Sequence, residues 1–403
     1  MRLILTDRGR ATLAAGATLV VAGAALGFEE LTRVGMVAVT VVLLAALLVV
    51  FFRPHVEVEA EVGEGALTTG QVTTLPLRLR ARRRCPAARL SQPLPSGLGG
   101  GSIEVLTPAL RAGSTFEVTL TVRLAARGRH EIPPCTITRE DPFGFAERVL
   151  PAGSSRTITV LPLAHDLGLP SSRSADLHSE GVSARTSPLP GEEYGSIRSY
   201  QVGDDLRRIH WPATAHRGEL MTRHDERTTA RHALLVLDPR LADRSFPDVL
   251  EWGVEMLASA ALTLDRAGMS LDLLTGSATL LGGTDERSRR EEIMLALATT
   301  PVVMRPPRLQ VAVEDPFVGL VRDAAARAGL VVLVTGVRDA ETRDLLLTLP
   351  PGSQGLACLV APGQVDPALV DVARQAGWAA TPCTPRTGYV DAWRAMTGDA
   401  VPA

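Results

Sequence analysis

The hydrophobic pattern of the chain changes period three times. Residues 11 to 28, "ATLAAGATLVVAGAALGF", carry no charge, and after the polar break "EELTR" a second uncharged run, "VGMVAVTVVLLAALLVVFF", fills 34 to 52. At ~1.5 Å per helical residue each run reaches about 27 Å, close to the hydrocarbon thickness of a bilayer. The pattern predicts a two-span helical hairpin over 1–53. A cleaved signal peptide has one apolar core before the mature domain, whereas here a stronger span follows directly. From 54 to 163 short alternating runs such as "HVEVEAEV", "TLPLRLRAR" and "FEVTLTVRLAA" are separated by Gly, Pro and Ser clusters. Period-two alternation at that spacing predicts an antiparallel, immunoglobulin-like β-sandwich. Within it "DPFGF" (141–145) reads as a turn whose phenylalanines plug the sandwich edge.

Residues 164–230 read as a Ser/Pro/Gly-rich linker running into a charged segment, and 231–403 alternate again. Apolar runs at 232–238, 269–275, 330–336 and 355–361 have strand length, and helical patterns occupy 246–267, 288–299, 316–328, 339–349 and 366–376. Strand and helix in alternation predict a doubly wound α/β domain, a parallel sheet covered on both faces. The fold class expected is therefore multidomain: two transmembrane helices, a β-sandwich and an α/β domain.

Composition removes several chemistries. All 42 basic residues among the 403 are arginine, and asparagine is missing too, a bias of GC-rich coding. Without lysine there is no Walker-loop phosphate grip and no Schiff base, and without asparagine no N-glycosylation acceptor. A formal net charge of −2 gives no global field for a polyanion. Cys85, Cys135, Cys358 and Cys383 show no C-x-x-C spacing and read as buried small hydrophobes in a reducing compartment. Arg2, Arg8 and Arg10 precede the first span and Arg53 follows the second, while the connecting loop holds Arg33 against Glu29 and Glu30. Both ends, and with them the soluble domains, are expected on the cytoplasmic side of the plasma membrane. The basic run "RLRARRRCPAARL" (78–90) has no stacking aromatics. Attraction to anionic headgroups or a solvated strand face suits it better than nucleic acid.

The run "YGSIRSYQVGDDLRRIHWPATAHRGELMTRHDE" is the densest in chemistry. His210, His216 and His224 lack the i, i+4 spacing of a helical metal site. Asp204 and Asp205 precede Arg207 and Arg208, as a helix cap with carboxylate–guanidinium pairing would. Charges interleaved with Ile197, Tyr200, Ile209, Trp211 and Leu220 point to a segment lying across another domain with its rings buried. On that reading Trp211→Ala costs several kcal/mol. The competing reading is a hydrolase using His210, His216, Asp204 and Asp205 at a domain junction. No ordered pairing of nucleophile and base supports it.

Arg198, Tyr200, Gly203, Asp204, Arg207, Ile209 and Trp211 fall at the spacing R-x-Y-x-x-G-D-x-x-R-x-I-x-W, with Arg208 between; Glu219, Leu220 and Arg223 follow as E-L-x-x-R. This resembles the signature of the bacterial family called domain of unknown function 58. The resemblance implies a C-terminal von Willebrand factor A-like domain, whose first strand usually ends in D-x-S-x-S and holds a divalent cation. Here Asp238 stands at the first ligand position, but Pro239, Arg240, Leu241 and Ala242 follow it, and Thr335–Gly336 replace the later T-D-G. The expectation is that Arg240 holds Asp238 in place of the ion, that Asp339 caps a helix, and that no metal or cofactor is bound. The resemblance further implies a non-enzymatic scaffold working with a MoxR-type AAA+ ATPase in chaperone-like assembly or maturation.

Overall fold

Thr6 joins a short strand to the first long helix. Its Oγ1 accepts from the Gly9 amide at 3.1 Å, an N-cap that starts α1 (Asp7–Leu26) directly after β1 (Arg2–Leu5). The computed structural model describes residues 2–51, 56–60, 67–168, 196–199, 209, 211–224, 232–241, 245–276, 279–280, 286–301, 316–336, 339–351 and 353–398. It divides into two units, Met1–Pro162 and Leu163–Ala403.

In the first unit α1 and α2 (Glu29–Phe51) form an antiparallel pair, both long and apolar enough to cross a membrane. Each begins several residues before the charge-free runs, because the capping Thr6 and the first-turn acids Asp7, Glu29 and Glu30 favour helix there. The helices meet through backbone-close contacts. A Cβ at Gly35 would lie 2.7 Å from the Gly16 carbonyl oxygen and 2.8 Å from the Val20 nitrogen.

The strands of this unit follow as β2 (Val56–Ala60), β3 (Val72–Ala81), β4 (Ala88–Pro93), β5 (Ser102–Thr107), β6 (Thr115–Arg123), β7 (Gly128–Ile132), β8 (Cys135–Glu140), β9 (Ala146–Ala152) and β10 (Arg156–Val160). They pair antiparallel as β1-β9-β8-β4-β5, β2-β3-β6 and β10-β7. Alternate residues of these sheets, among them Leu77, Leu79, Leu90, Leu120, Ile137 and Val160, share one core. The arginines of the basic run are partly neutralised across strands: Arg78 meets Glu117 at 2.8 Å, Arg82 meets Glu57, and Arg89 meets Glu140 at 3.2 Å.

Three contacts fix the helical pair to the five-stranded sheet. β1 pairs with β9 in the register Arg2↔Val149 to Leu5↔Ala146. The turn 141–145 receives the start of α1: the Thr6 amide donates to the Phe145 carbonyl at 3.0 Å and Thr6 Oγ1 to the Gly144 carbonyl at 2.5 Å. Gly9 is required there, since a Cβ would stand 2.0 Å from the Phe145 oxygen. Arg148 of β9, 1% exposed, donates from Nη1 to the carbonyls of Val49 and Val50 at 3.3 and 2.7 Å. A buried cation thus meets the negative end of α2 and satisfies carbonyls that the helix leaves open. The turn expected to plug the sheet edge docks the hairpin instead, with Phe143 left 58% exposed.

The second unit contains β11 (Ser196–Ser199), α3 (Trp211–Arg217), β12 (Met221–His224), β13 (His232–Leu237), α4 (Pro247–Arg266), β14 (Ser270–Leu274), β15 (Thr279–Leu280), α5 (Glu286–Thr299), α6 (Pro316–Ala325), β16 (Leu330–Gly336), α7 (Asp339–Leu346), β17 (Gln354–Val360), α8 (Pro367–Gln375), β18 (Trp378–Cys383) and α9 (Tyr389–Thr397). Six strands form one sheet in the order β15-β14-β13-β16-β17-β18. Its five long strands are parallel and β15 runs antiparallel at the edge. Strands buried on both faces explain the near-continuous apolar runs. α4, α5 and α9 pack in one hydrophobic cluster on the sheet, and α6, α7 and α8 in the other.

All four cysteines are free and buried. Burial pushes the Cys85 thiol up and that of Cys135 up to about 11. Cys358 is raised well above the ordinary value by its hydrogen bond with Cys383 and by burial. A raised folded-state pKa keeps a thiol protonated, so the Cys135 contribution to stability is complete below the ordinary thiol value of 9.0 and fades as pH climbs toward about 11. Ellman's reagent at neutral pH is expected to titrate no thiol in the folded chain and four after denaturation. Fast reaction of even one in the native state would contradict this packing.

Candidate functional site

β13 and β16 are neighbours in the sheet, and the chain order reverses between them. The crevice beyond the carboxyl ends of such strands is where open α/β sheets receive ligands. Asp238 leaves β13 at this point and Thr335 lies at the same end of β16, with the Asp238 amide donating to the Val334 carbonyl at 3.0 Å. Both side chains are buried, Asp238 at 1% exposure.

Four donations converge on the Asp238 carboxylate. Arg240 Nε donates to Oδ1 at 2.8 Å and to Oδ2 at 3.0 Å, and the Arg240 amide donates to Oδ1 at 2.9 Å. Thr335 Oγ1 donates to Oδ2 at 2.5 Å. The local geometry is an Asx turn that becomes the short 3₁₀ helix Pro239–Leu241, and it folds the guanidinium back over the carboxylate two residues earlier. Leu241 is buried and anchors this turn against α4. The pair is protected, its side chains 10% and 1% exposed for Arg240 and Asp238.

This donor set does not fit a divalent cation. Oxygen-preferring ions need several carboxylate, hydroxyl or carbonyl ligands, but a guanidinium occupies the carboxylate, and Pro239 and Leu241 provide no side-chain oxygen. Among the described residues no group of three or more His, Cys, Asp or Glu side chains is arranged to hold a metal. Of the four rim residues singled out in the sequence, Asp238, Arg240 and Thr335 come together. Asp339 opens α7, and its side chain lies outside the described set. Sequence reasoning missed Thr342, whose Oγ1 donates to the Gly336 carbonyl at 2.9 Å and ties α7 to the end of β16.

The signature segment is described in part. β11 and β12 pair antiparallel, Arg198 opposite Thr222 and Ile197 opposite Arg223. Between them α3 is held by the Met221 amide, which donates to Thr214 Oγ1 at 3.0 Å, and Met221 is buried. Ile209 is half-buried; Glu219 and His216 are exposed. Tyr200, Gly203, Asp204, Asp205, Arg207, Arg208 and His210 lie outside the described residues, and so does the expected ion-pair clasp.

Two apolar members of the segment correct the expectation of buried rings. Trp211 is 66% exposed and Leu220 42%. A helical side chain covers the turn N-terminal to its own Cα, and Trp211, first in its helix, has no such turn to cover. Trp211→Ala is accordingly expected to move stability by less than about 0.5 kcal/mol. Equilibrium unfolding of the two proteins side by side checks this; a loss of several kcal/mol would restore the buried ring.

Residues 196–354 match the family model described as "Protein of unknown function DUF58". A relative from Bacillus subtilis (strain 168), "Uncharacterized protein YeaD", is 25% identical over 158 residues, 38% of this chain and 39% of its own length. The chain thus spans well under half of that relative. Among solved structures, a β-glucosidase from Listeria innocua in complex with gluconolactone is 12% identical over 27% of this chain and 16% of its own, with a TM-score of 0.16. A likeness that slight carries no functional weight.

Proposed function

We propose that this chain, whose residues 196–354 match the DUF58 family model, is a membrane-anchored, non-enzymatic scaffold whose C-terminal unit is a protein-binding domain of the von Willebrand factor A-like type. Counted along the chain, the sheet runs 3-2-1-4-5-6, the doubly wound order, which supports that reading. The single observation that carries the proposal is the Arg240 guanidinium seated on Asp238 at the switch point. A rim with its own built-in cation needs no ion to present a fixed surface.

The hairpin supports anchoring, and the shared core of the antiparallel sheets supports a β-sandwich at its base. The arginines before α1 and after α2 favour a cytoplasmic position for the soluble units. The partner is a protein, a MoxR-type AAA+ ATPase, and the lysine-free chain leaves nucleotide binding to it.

The test is direct binding between the detergent-solubilised full chain and the purified MoxR-type ATPase of the same host. Saturable binding is expected, unchanged by EDTA and weakened by Phe246→Asp, a 47% exposed ring in the loop that follows Asp238. No binding would remove this partner. Release by EDTA would remove the metal-free rim.

A further inference from the structure

We propose that the end of the first unit from which the helical hairpin emerges is a contact surface for anionic phospholipid headgroups, centred on Arg83, Arg84, Arg111 and Phe143. The proposal rests on reading the hairpin as membrane-spanning.

Strand register brings the parts together. β8 and β9 are joined by the turn 141–145, with Glu140 opposite Glu147. β4 starts at this same end, because Arg89 stands opposite Thr138, so the turn 82–87 that precedes β4 lies beside the turn 141–145. β5 ends there too, Thr107 being opposite Ala88, and its following turn carries Arg111. The turns 82–87 and 108–114 are bonded to one another: the amides of Cys85 and Leu110 donate to each other's carbonyls at 2.9 and 2.7 Å, and Gly113 donates to the Ala81 carbonyl at 2.8 Å. The first turn of α1 is seated on Gly144 and Phe145. Three turns and a helix start therefore share one end, level with the point where the hairpin enters the bilayer.

The charges at this end are unequal. Asp7 pairs with Arg10 at 3.6 Å, Glu57 with Arg82, and Glu140 with Arg89 at 3.2 Å. Asp141 is buried, its carboxylate accepting from the amides of Phe143 and Ala146 at 2.8 and 2.5 Å. Among the described residues of these turns, half-buried Glu147 is the remaining acid. Against it stand Arg8, Arg83, Arg84 and Arg111, all exposed, and among the described residues no carboxylate lies within ion-pair distance of them. Phe143 adds an exposed ring stacked on Phe145 with centroids 6.1 Å apart. Guanidinium groups around an aromatic ring at the level of a helix start suit phosphate headgroups over the acyl boundary. A polyanion in solution would not need the ring.

The experiment places a nitroxide at Ala112→Cys, in the Arg111 turn, in the full chain reconstituted into vesicles. The native thiols are buried, so labelling is selective. Labels at Val21→Cys, on the outer face of α1, and at Ser154→Cys, beyond the far end of β9, are the references. In phosphatidylcholine/phosphatidylglycerol vesicles the label at 112 should be shielded from an aqueous nickel chelate relative to 154. Shielding should fall in pure phosphatidylcholine and in the Arg83→Gln/Arg84→Gln/Arg111→Gln variant, while Val21 stays in hydrocarbon throughout. Equal exposure at 112 and 154 with Val21 in hydrocarbon would overturn the proposal and leave the anchor standing. A water-exposed label at Val21 would overturn both.

Discussion

Asp238→Ala is expected to destabilise the C-terminal unit by about 3–5 kcal/mol, the range for removing one member of a buried ion pair. The loss comes less from the missing attraction than from what stays behind. Arg240 would keep its charge at 10% side-chain exposure, and Thr335 Oγ1 would exchange its 2.5 Å bond to the carboxylate for the longer one, 3.3 Å, to the Gly336 carbonyl. A folded unit holds only about 5–15 kcal/mol in all, so the variant approaches the threshold of folding. Asp238→Asn, which keeps an acceptor oxygen, should fall between. The measurement is the denaturation midpoint of the C-terminal unit in each variant. An unchanged midpoint for Asp238→Ala would mean that the guanidinium finds water or another partner, and that the pair does not fix the rim.

The second large effect is expected at Arg148. Arg148→Met keeps much of the apolar stem but takes the donor from the Val49 and Val50 carbonyls. Hydrogen bonds from a charged group are worth about 1.5–3 kcal/mol each, so a loss of roughly 3 kcal/mol is expected, felt at the joint between hairpin and sheet. Arg148→Lys should recover part of it, since a single ammonium still reaches the end of α2 but without the planar fork. Hydrogen exchange of the detergent-solubilised chain reads the joint directly. Faster exchange across β1 and the last turn of α2, with β16 and β17 unaffected, is the expected pattern. Uniform protection in Arg148→Met would show that strand pairing alone holds the hairpin.

How far the sequence announces these features depends on whether the physics is local. The strands at 232–237, 330–336 and 354–360 and the helices opening at 247, 316, 339 and 367 lie within a few residues of the hydrophobic pattern, because burial on both faces writes apolar runs of strand length. The meeting of Asp238 with Arg240 is equally local, two residues apart across an Asx turn. Thr335 joins them only through the pairing of β13 with β16, which a resemblance suggested and periodicity alone does not contain.

Other features depend on distant partners and left little trace. β1 is four residues before an apolar run, and nothing in "RLIL" predicts pairing with β9. Arg148 sits at a strand position whose neighbours give no hint that a helix end lies above it. The turn "DPFGF" was legible as a turn, since Asp141 and Gly144 set its shape, but not as the seat of α1. Trp211 shows the opposite error, where size and company suggested burial that its position at a helix start does not deliver. The arginine run 78–84 reads as an uninterrupted basic patch, yet the register of β2, β3 and β6 sets Glu57 and Glu117 against it.

Arg240 sets a fixed positive charge against the Asp238 carboxylate at the rim. Whether that charge excludes a divalent ion is read by titration calorimetry of the full chain with Mg²⁺ and with Mn²⁺, repeated on Asp238→Asn. Exclusion leaves no saturable heat that distinguishes the two proteins. One-to-one binding in the wild-type chain that vanishes in Asp238→Asn would contradict it.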